Sequence, residues 1–277
     1  ANVFRKLNYE GHILENSTLG SVESVETIEL KDVKDYYKAN FSADLAKVSI
    51  AGDISRSEAV KAFKSIVSRW EVSEVSFPEY TFPERNESAK VYFVDVPNAK
   101  QSEIRIGYLG LTRKDPEFYP AEVMNTKLGG NASGNLFQVL REEKGYTYGA
   151  YSFFNGYKYP GTFTAYSAVQ SNATEESLIT FKELLSSYRE TISEDDLQFT
   201  KNVTLKSNAR RFETLGALRG MISDIALYEL PFDYIEEEEK VVRSMTQDKH
   251  NELAQKYIDP NKMIYLIVGD ASTQLDG

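Results

Sequence analysis

The segment GGNASGNLFQVLREEKGYTYGA, residues 129–150, carries two side chains whose types and spacing suggest chemistry: Arg141 and Tyr148. A guanidinium supplies planar, permanently charged donors, and a phenol supplies one neutral donor. Converging from a helix end and the adjoining strand, the pair suits one acceptor, such as a peptide carbonyl or a developing oxyanion. Gly129 and Gly130 read as the end of one helix, and Gly145 as the turn between the next helix and a strand. The plainer alternative is a surface Arg at a helix end and a strand Tyr packed on its neighbours. Residue types alone favour that alternative.

Other chemistries find less support. Cysteine is absent, which removes disulfides, thiolate nucleophiles and Cys-based zinc sites. GGNASGN has the glycine spacing of a phosphate loop, but Asn135 stands where that loop needs Lys, and a helical pattern precedes it. The glycines therefore read as a turn, with an N-cap at Asn131 or Ser133. The two histidines, His12 and His250, fall in no H-x-x-x-H, H-E-x-x-H or H-x-x-E-H spacing and read as surface residues. No metal site is expected within this chain. A G-x-S-x-G elbow is missing too. The run EEEE at 236–239 reads as a solvated helix face, and the aromatics of 151–166 as cross-strand packing.

Composition narrows the partners. The net charge is −10, against the clustered Lys and Arg that nucleic acid or an anionic membrane requires. No run approaches the roughly 18 apolar residues of a membrane span. The N-terminal ANVFRKLNYEGH lacks the apolar stretch of a signal peptide, so an exported parent would carry its signal upstream. A soluble protein of the cytoplasm or of a bacterial periplasm fits equally, and the compartment stays open.

The positioning elements follow from periodicity. Residues 1–26 read as a polar loop, a helix starts after Thr27, and 45–52 alternate like a strand. Residues 55–70 read as an amphipathic helix opened by a Ser55–Glu58 capping box. Residues 71–88, with Pro78 and Pro83, read as a linker. Beyond it come strands at 90–96 and 102–110, a helix running to the Gly129–Gly130 pair, and a helix at 133–143. Strands at 147–155 and 161–169 follow. Cap pairs Asn172–Glu175 and Ser193–Asp196 open two long helices, the first with Leu178, Phe181, Leu185 and Tyr188 in one stripe. Helices at 214–229 and within 233–257, then a strand at 262–270, complete the chain.

An internal echo organises these elements. Residues 27–55 resemble 246–272: a Thr-led helix, an aromatic end, a short turn, an apolar strand and Gly-Asp-x-Ser. Residues 89–245 precede the second copy, but only 1–26 precede the first, so about 131 residues have no counterpart. The expected organisation is the C-terminal part of a first repeat domain (1–70), a linker (71–88) and a complete second repeat domain (89–277). The fold class is α+β, with antiparallel sheet flanked by helices.

LGGNASGNLFQVLREEKGYTYGAYS, residues 128–152, resembles the C-terminal-domain motif of the insulinase/pitrilysin family of zinc peptidases. Gly129, Gly130, Leu136, Phe137, Arg141, Glu142, Gly145 and Tyr148 fall in register. Residues 19–55 also resemble that family's stretch ending in V-x-x-G-D, so the likeness runs from about residue 8 to 272. The resemblance implies a clam-shell half-domain whose Arg141 and Tyr148 hydrogen-bond the substrate carbonyl at the scissile bond. It implies an unfolded peptide substrate laid along a sheet edge, and a catalytic zinc in the full-length protein or a partner. The family's zinc motif falls in the portion without counterpart here, so a missing zinc-bearing domain or a partner half is implied. A non-catalytic scaffold or partner subunit of the same fold is the alternative.

Overall fold

The computed structural model describes residues 1–273. In chain order these form α1 (Asn2–Asn8), α2 (Val22–Glu26), α3 (Leu30–Asn40), α4 (Arg56–Val67), β1 (Lys90–Asp95), β2 (Gln101–Leu109), α5 (Phe118–Asn125) and the short α6 (Asn135–Phe137). Then come β3 (Thr147–Phe154), β4 (Thr162–Gln170), α7 (Thr174–Ser187), α8 (Glu194–Ala209), α9 (Leu215–Tyr228), α10 (Tyr234–Ser244), α11 (Gln247–Tyr257) and β5 (Ile264–Gly269). Among the described residues no helix is long and apolar enough to cross a membrane.

The five strands form one sheet in the order β1-β5-β2-β4-β3. Three ladders are antiparallel, as expected of an α+β chain, whereas β1 pairs with β5 in parallel. That parallel pair joins residues far apart in sequence, which no local pattern encodes. Alternation sorts the faces. Ile104 and Ile106 of β2, Phe163, Ala165 and Val169 of β4 and Ala150 and Phe154 of β3 bury into one core with α5, α7, α8, α10 and α11. On the opposite face Phe4 of α1 packs on Ile264 and Leu266 of β5. The stripe of Phe181, Leu185 and Tyr188, with Leu178 at its rim, is in place.

Several expectations change. Residues 1–26 hold two helices rather than a loop, because Phe4 and Leu7 give α1 an apolar side to lay on the sheet. Residues 233–257 hold a helix as read, α10, and after it the Thr-led helix of the echo, α11, which Thr246 Oγ1 caps by accepting from the Lys249 N–H. The Asn172–Glu175 cap is replaced by a tight turn at Ser171–Ala173, while Ser55 and Ser193 cap α4 and α8 as read.

The largest departure is at 45–52. No strand forms there, although its counterpart in the internal echo is β5. A strand must satisfy its N–H and C=O groups on neighbours. β5 has β1 and β2 on its two sides; residues 45–52 have no strand beside them among the described residues. The apolar side chains of this region are accordingly in solvent: Leu30, Val33, Tyr36, Val48, Val60 and Ile66 are all exposed.

Candidate functional site

The site begins at α5. Its last residue, Asn125, is buried against β3, and the chain then widens into an i→i+5 turn at Thr126–Gly130. Gly129 packs so closely on β3 that a Cβ there would lie 2.6 Å from the Ser152 backbone nitrogen and 2.7 Å from Leu136 Cδ1. Asn131 Oδ1 accepts from the Ser133 N–H at 2.8 Å and turns the chain into α6. The glycine segment is thus a turn clamped onto a strand, not a phosphate cradle.

From α6 the helix continues but widens again at Gln138–Glu143, where the Lys144 N–H reaches back to the Val139 carbonyl at 3.0 Å. Such π-type turns insert a residue into a helix and re-aim its side chains. Leu136 and Leu140 anchor this segment in the core, and Arg141 follows at its rim, half-buried. Gly145 then reverses the chain at φ +66°, a left-handed conformation that disfavours side chains. The Gln170 N–H donates to the Tyr146 carbonyl at 3.0 Å, and Gln170 Nε2 to the Gly145 carbonyl at 3.2 Å, which fixes this loop to the end of β4.

Tyr148 is the second residue of β3 and is 86% exposed. The ladder with β4 slips between Thr147 and Ala150: three steps on β3 oppose two on β4, the geometry of a β-bulge. Buried hydroxyls fill the gap. Thr147 Oγ1 donates to the Ala168 carbonyl at 2.6 Å and accepts from the Gly149 N–H at 3.1 Å. Ser167 Oγ lies 2.9 Å from both Thr147 Oγ1 and the Gly149 carbonyl. Among the described residues neither Arg141 nor Tyr148 has a side-chain hydrogen bond or ion pair, so their donors are unspent. Because β3 is last in the sheet, one of its edges has no strand neighbour among the described residues.

Polar residues at core-facing positions were the signal that periodicity reading passed over. Thr147, Ser152 and Ser167 each interrupt an apolar strand face, and each is buried and hydrogen-bonded.

The histidines correct the surface reading. His12 is buried, stacked on Phe82 at 4.4 Å and edge-on to Tyr80 at 5.0 Å, and its Nδ1 accepts from the Leu14 N–H. His250 is buried beside the Tyr188 hydroxyl at 3.0 Å, and burial holds its pKa below the ordinary value. Both rings are committed to packing, on different elements. Among the described residues no group of three His, Cys, Asp or Glu could hold a metal ion. The residues here do not fit a zinc site.

The acidic run is also only partly solvated. Glu238 is buried and held by Arg113 at 3.0 Å and Arg211 at 2.6 Å. Nearby, burial pushes the Glu122 carboxyl up to about 7, with Glu238 adding to the shift and Arg113 and Arg211 opposing it.

A helix-backed five-stranded sheet, its last strand bulged beside a glycine turn, makes this a mixed α+β fold. Residues 27–204 match the family described as the peptidase M16 inactive domain, and the chain belongs to that family. The resemblance carried by residues 128–152 is thereby borne out. Among curated relatives, a Bacillus subtilis protein named "Uncharacterized zinc protease YmxG" is 27% identical over 201 residues, 72% of this chain and 48% of that protein. A Helicobacter pylori protein named "Non-peptidase homolog YmxG" is 21% identical over 262 residues, 93% of this chain and 59% of that protein. The chain thus spans about half the length of these relatives. In fold it is similar to the crystal structure of a peptidase M16 inactive domain from Pseudomonas fluorescens, with a TM-score of 0.87 at 22% identity, covering 97% of this chain and 64% of that one.

Proposed function

We propose that this chain is the substrate-orienting, zinc-free portion of a zinc-dependent metalloendopeptidase. Arg141 and Tyr148 bind the scissile carbonyl of an unfolded peptide and stabilise its oxyanion. The metal and its water come from a zinc-bearing domain or partner half outside this chain. The observation that carries this reading is a pair of unspent donors beside a bulge: Tyr148 stands in solvent at the start of the sheet's last strand, whose middle is covered by Asn125 and the Gly129 turn, and Arg141 lies on the helix end that leads into it. An unfolded peptide laid as an added strand on a sheet edge would gain main-chain hydrogen bonds while leaving its side chains variable. The exposed apolar faces of α3 and α4 and the unpaired 45–52 support the companion expectation that 1–70 is the C-terminal part of a first repeat domain, with 71–88 a linker and 89–277 the second repeat.

The test is to combine the full-length protein with its zinc-bearing half or partner and assay unfolded peptides. Arg141→Ala and Tyr148→Phe should each lower kcat/KM by about 2.7–4 kcal/mol in transition-state stabilisation. Wild-type rates in both variants would remove the role. A second reading, a non-catalytic scaffold or partner subunit, is favoured by the name of the Helicobacter pylori relative. It predicts that the complete protein, with every partner present, cleaves nothing, while the assembly falls apart without this chain.

A further inference from the structure

We propose that Thr147 and Ser167 are positioning residues for Tyr148, setting the direction of its phenol through the bulge rather than by contact with it. The proposal rests on the reading of Tyr148 as a substrate-carbonyl donor.

At 86% exposure the Tyr148 ring has nothing to lean on, so its direction is inherited from its backbone. That backbone is out of the ladder, because the register slips between Thr147 and Ala150. A bulge leaves the extra residue's N–H and C=O without ladder partners, and such groups are costly when buried. Here two side chains replace the ladder. Thr147 Oγ1 accepts from the N–H of Gly149, and Ser167 Oγ reaches the carbonyl of the same residue at 2.9 Å. The residues on both sides of Tyr148 are therefore fastened to β4 by buried hydroxyls. Thr147 is 7% exposed and Ser167 0%, so water does not substitute for either.

The residue types are specific to this task. Thr147 and Ser167 occupy the sheet face that otherwise carries Ala150, Phe154, Phe163, Ala165 and Val169. A Val at 147 would fill the same volume and suit a strand better. A hydroxyl is required only by the bulge. Without it the ladder gains by closing toward regular register, and a one-residue slip turns side chains to the other face. Tyr148 would then leave the position from which it meets the substrate carbonyl.

The experiment uses the full-length protein assembled with its zinc-bearing half and a fluorogenic unfolded peptide. Thr147→Val and Ser167→Ala should lower kcat/KM roughly 10- to 100-fold, the scale of a misplaced catalytic group. Thr147→Ser keeps the hydroxyl and should restore most of the rate. The decisive readout is the double variant: in a Tyr148→Phe background, Thr147→Val should cost nothing further, since the group it positions is gone. A loss of the same factor in both backgrounds would mark a structural role and overturn the proposal. If Tyr148→Phe is impaired while Thr147→Val and Ser167→Ala keep the wild-type rate, only the positioning claim falls. If Tyr148→Phe keeps the wild-type rate, or the assembly cleaves no peptide, the reading of Tyr148 falls and takes this proposal with it.

Discussion

Asn125 and Ser152 hold each other reciprocally: Asn125 Nδ2 donates to the Ser152 carbonyl at 2.7 Å, and Ser152 Oγ donates to Asn125 Oδ1 at 2.6 Å. Both are buried. The pair ties the last turn of α5 to the middle of β3, just before the chain widens into the glycine turn. It therefore sets the separation between the segment that leads to Arg141 and the strand that carries Tyr148.

Breaking that pair leaves buried polar groups without partners, which costs about 1–3 kcal/mol. Asn125→Ala strands both the Ser152 carbonyl and its hydroxyl; Ser152→Ala strands only Asn125 Oδ1. Urea unfolding should place Asn125→Ala below Ser152→Ala and both below the parent. Equal midpoints for all three would show that the pair contributes nothing.

How much of this could be read beforehand divides by range. The strands at 90–95 and 101–109, the α7 stripe and the Ser55 and Ser193 caps follow from periodicity and from residues three apart, and all are in place. Segment 45–52 carries the right alternation yet forms no strand, because alternation specifies a face and not a neighbour. His12, His250 and Glu238 look like surface residues locally; Phe82, Tyr188 and Arg211, which bury or pair them, lie elsewhere in the sequence. At the candidate site the residue types were legible and their aim was not. Thr147 shows its role only when β4 brings Ser167 alongside.

Gly129 and Gly130 should part company. A Cβ at 129 meets Ser152 Oγ at 2.5 Å and backbone nitrogen at 2.6 Å, whereas one at 130 meets nothing nearer than 3.5 Å. Forcing a methyl into a packed site costs typically about 1–3 kcal/mol. Gly129→Ala should lower the thermal midpoint clearly and Gly130→Ala should leave it near the parent's. Equal losses would mean that the pair serves the turn by flexibility, not by close approach.

Glu238 is the keystone of a buried charge cluster, bridging Arg113 and Arg211. Removing one partner of such a cluster leaves uncompensated charge, a loss of about 3–5 kcal/mol. Glu238→Ala should therefore destabilise far more than Glu237→Ala, whose contact with Lys240 is exposed and screened by solvent. Chemical denaturation of the two variants separates the cases. Similar midpoints would return Glu238 to the solvated face that its neighbours suggest.

Glu122 makes stability depend on pH in an unusual direction for a carboxylate. Its folded pKa is near 7, raised from 4.5, chiefly by burial and further by Glu238, against the pull of Arg113 and Arg211. Between those two values the unfolded chain has already released this proton while the folded chain retains it. The folded state thus binds more protons, and this group's contribution to stability falls as pH rises from about 4.5 to 7, then levels off. A shift of this size corresponds to about 3 kcal/mol, roughly 1.4 kcal/mol for each of some 2.5 pH units. Glu122→Gln is neutral throughout and should lack the slope, so it should gain stability relative to the parent as pH is raised from 5 to 8. The difference between the two proteins isolates Glu122 from His250, whose depressed pKa acts in the opposite sense, costing stability as pH falls. Denaturation midpoints that run parallel over this range would show that Glu122 ionises in the fold at its ordinary pH.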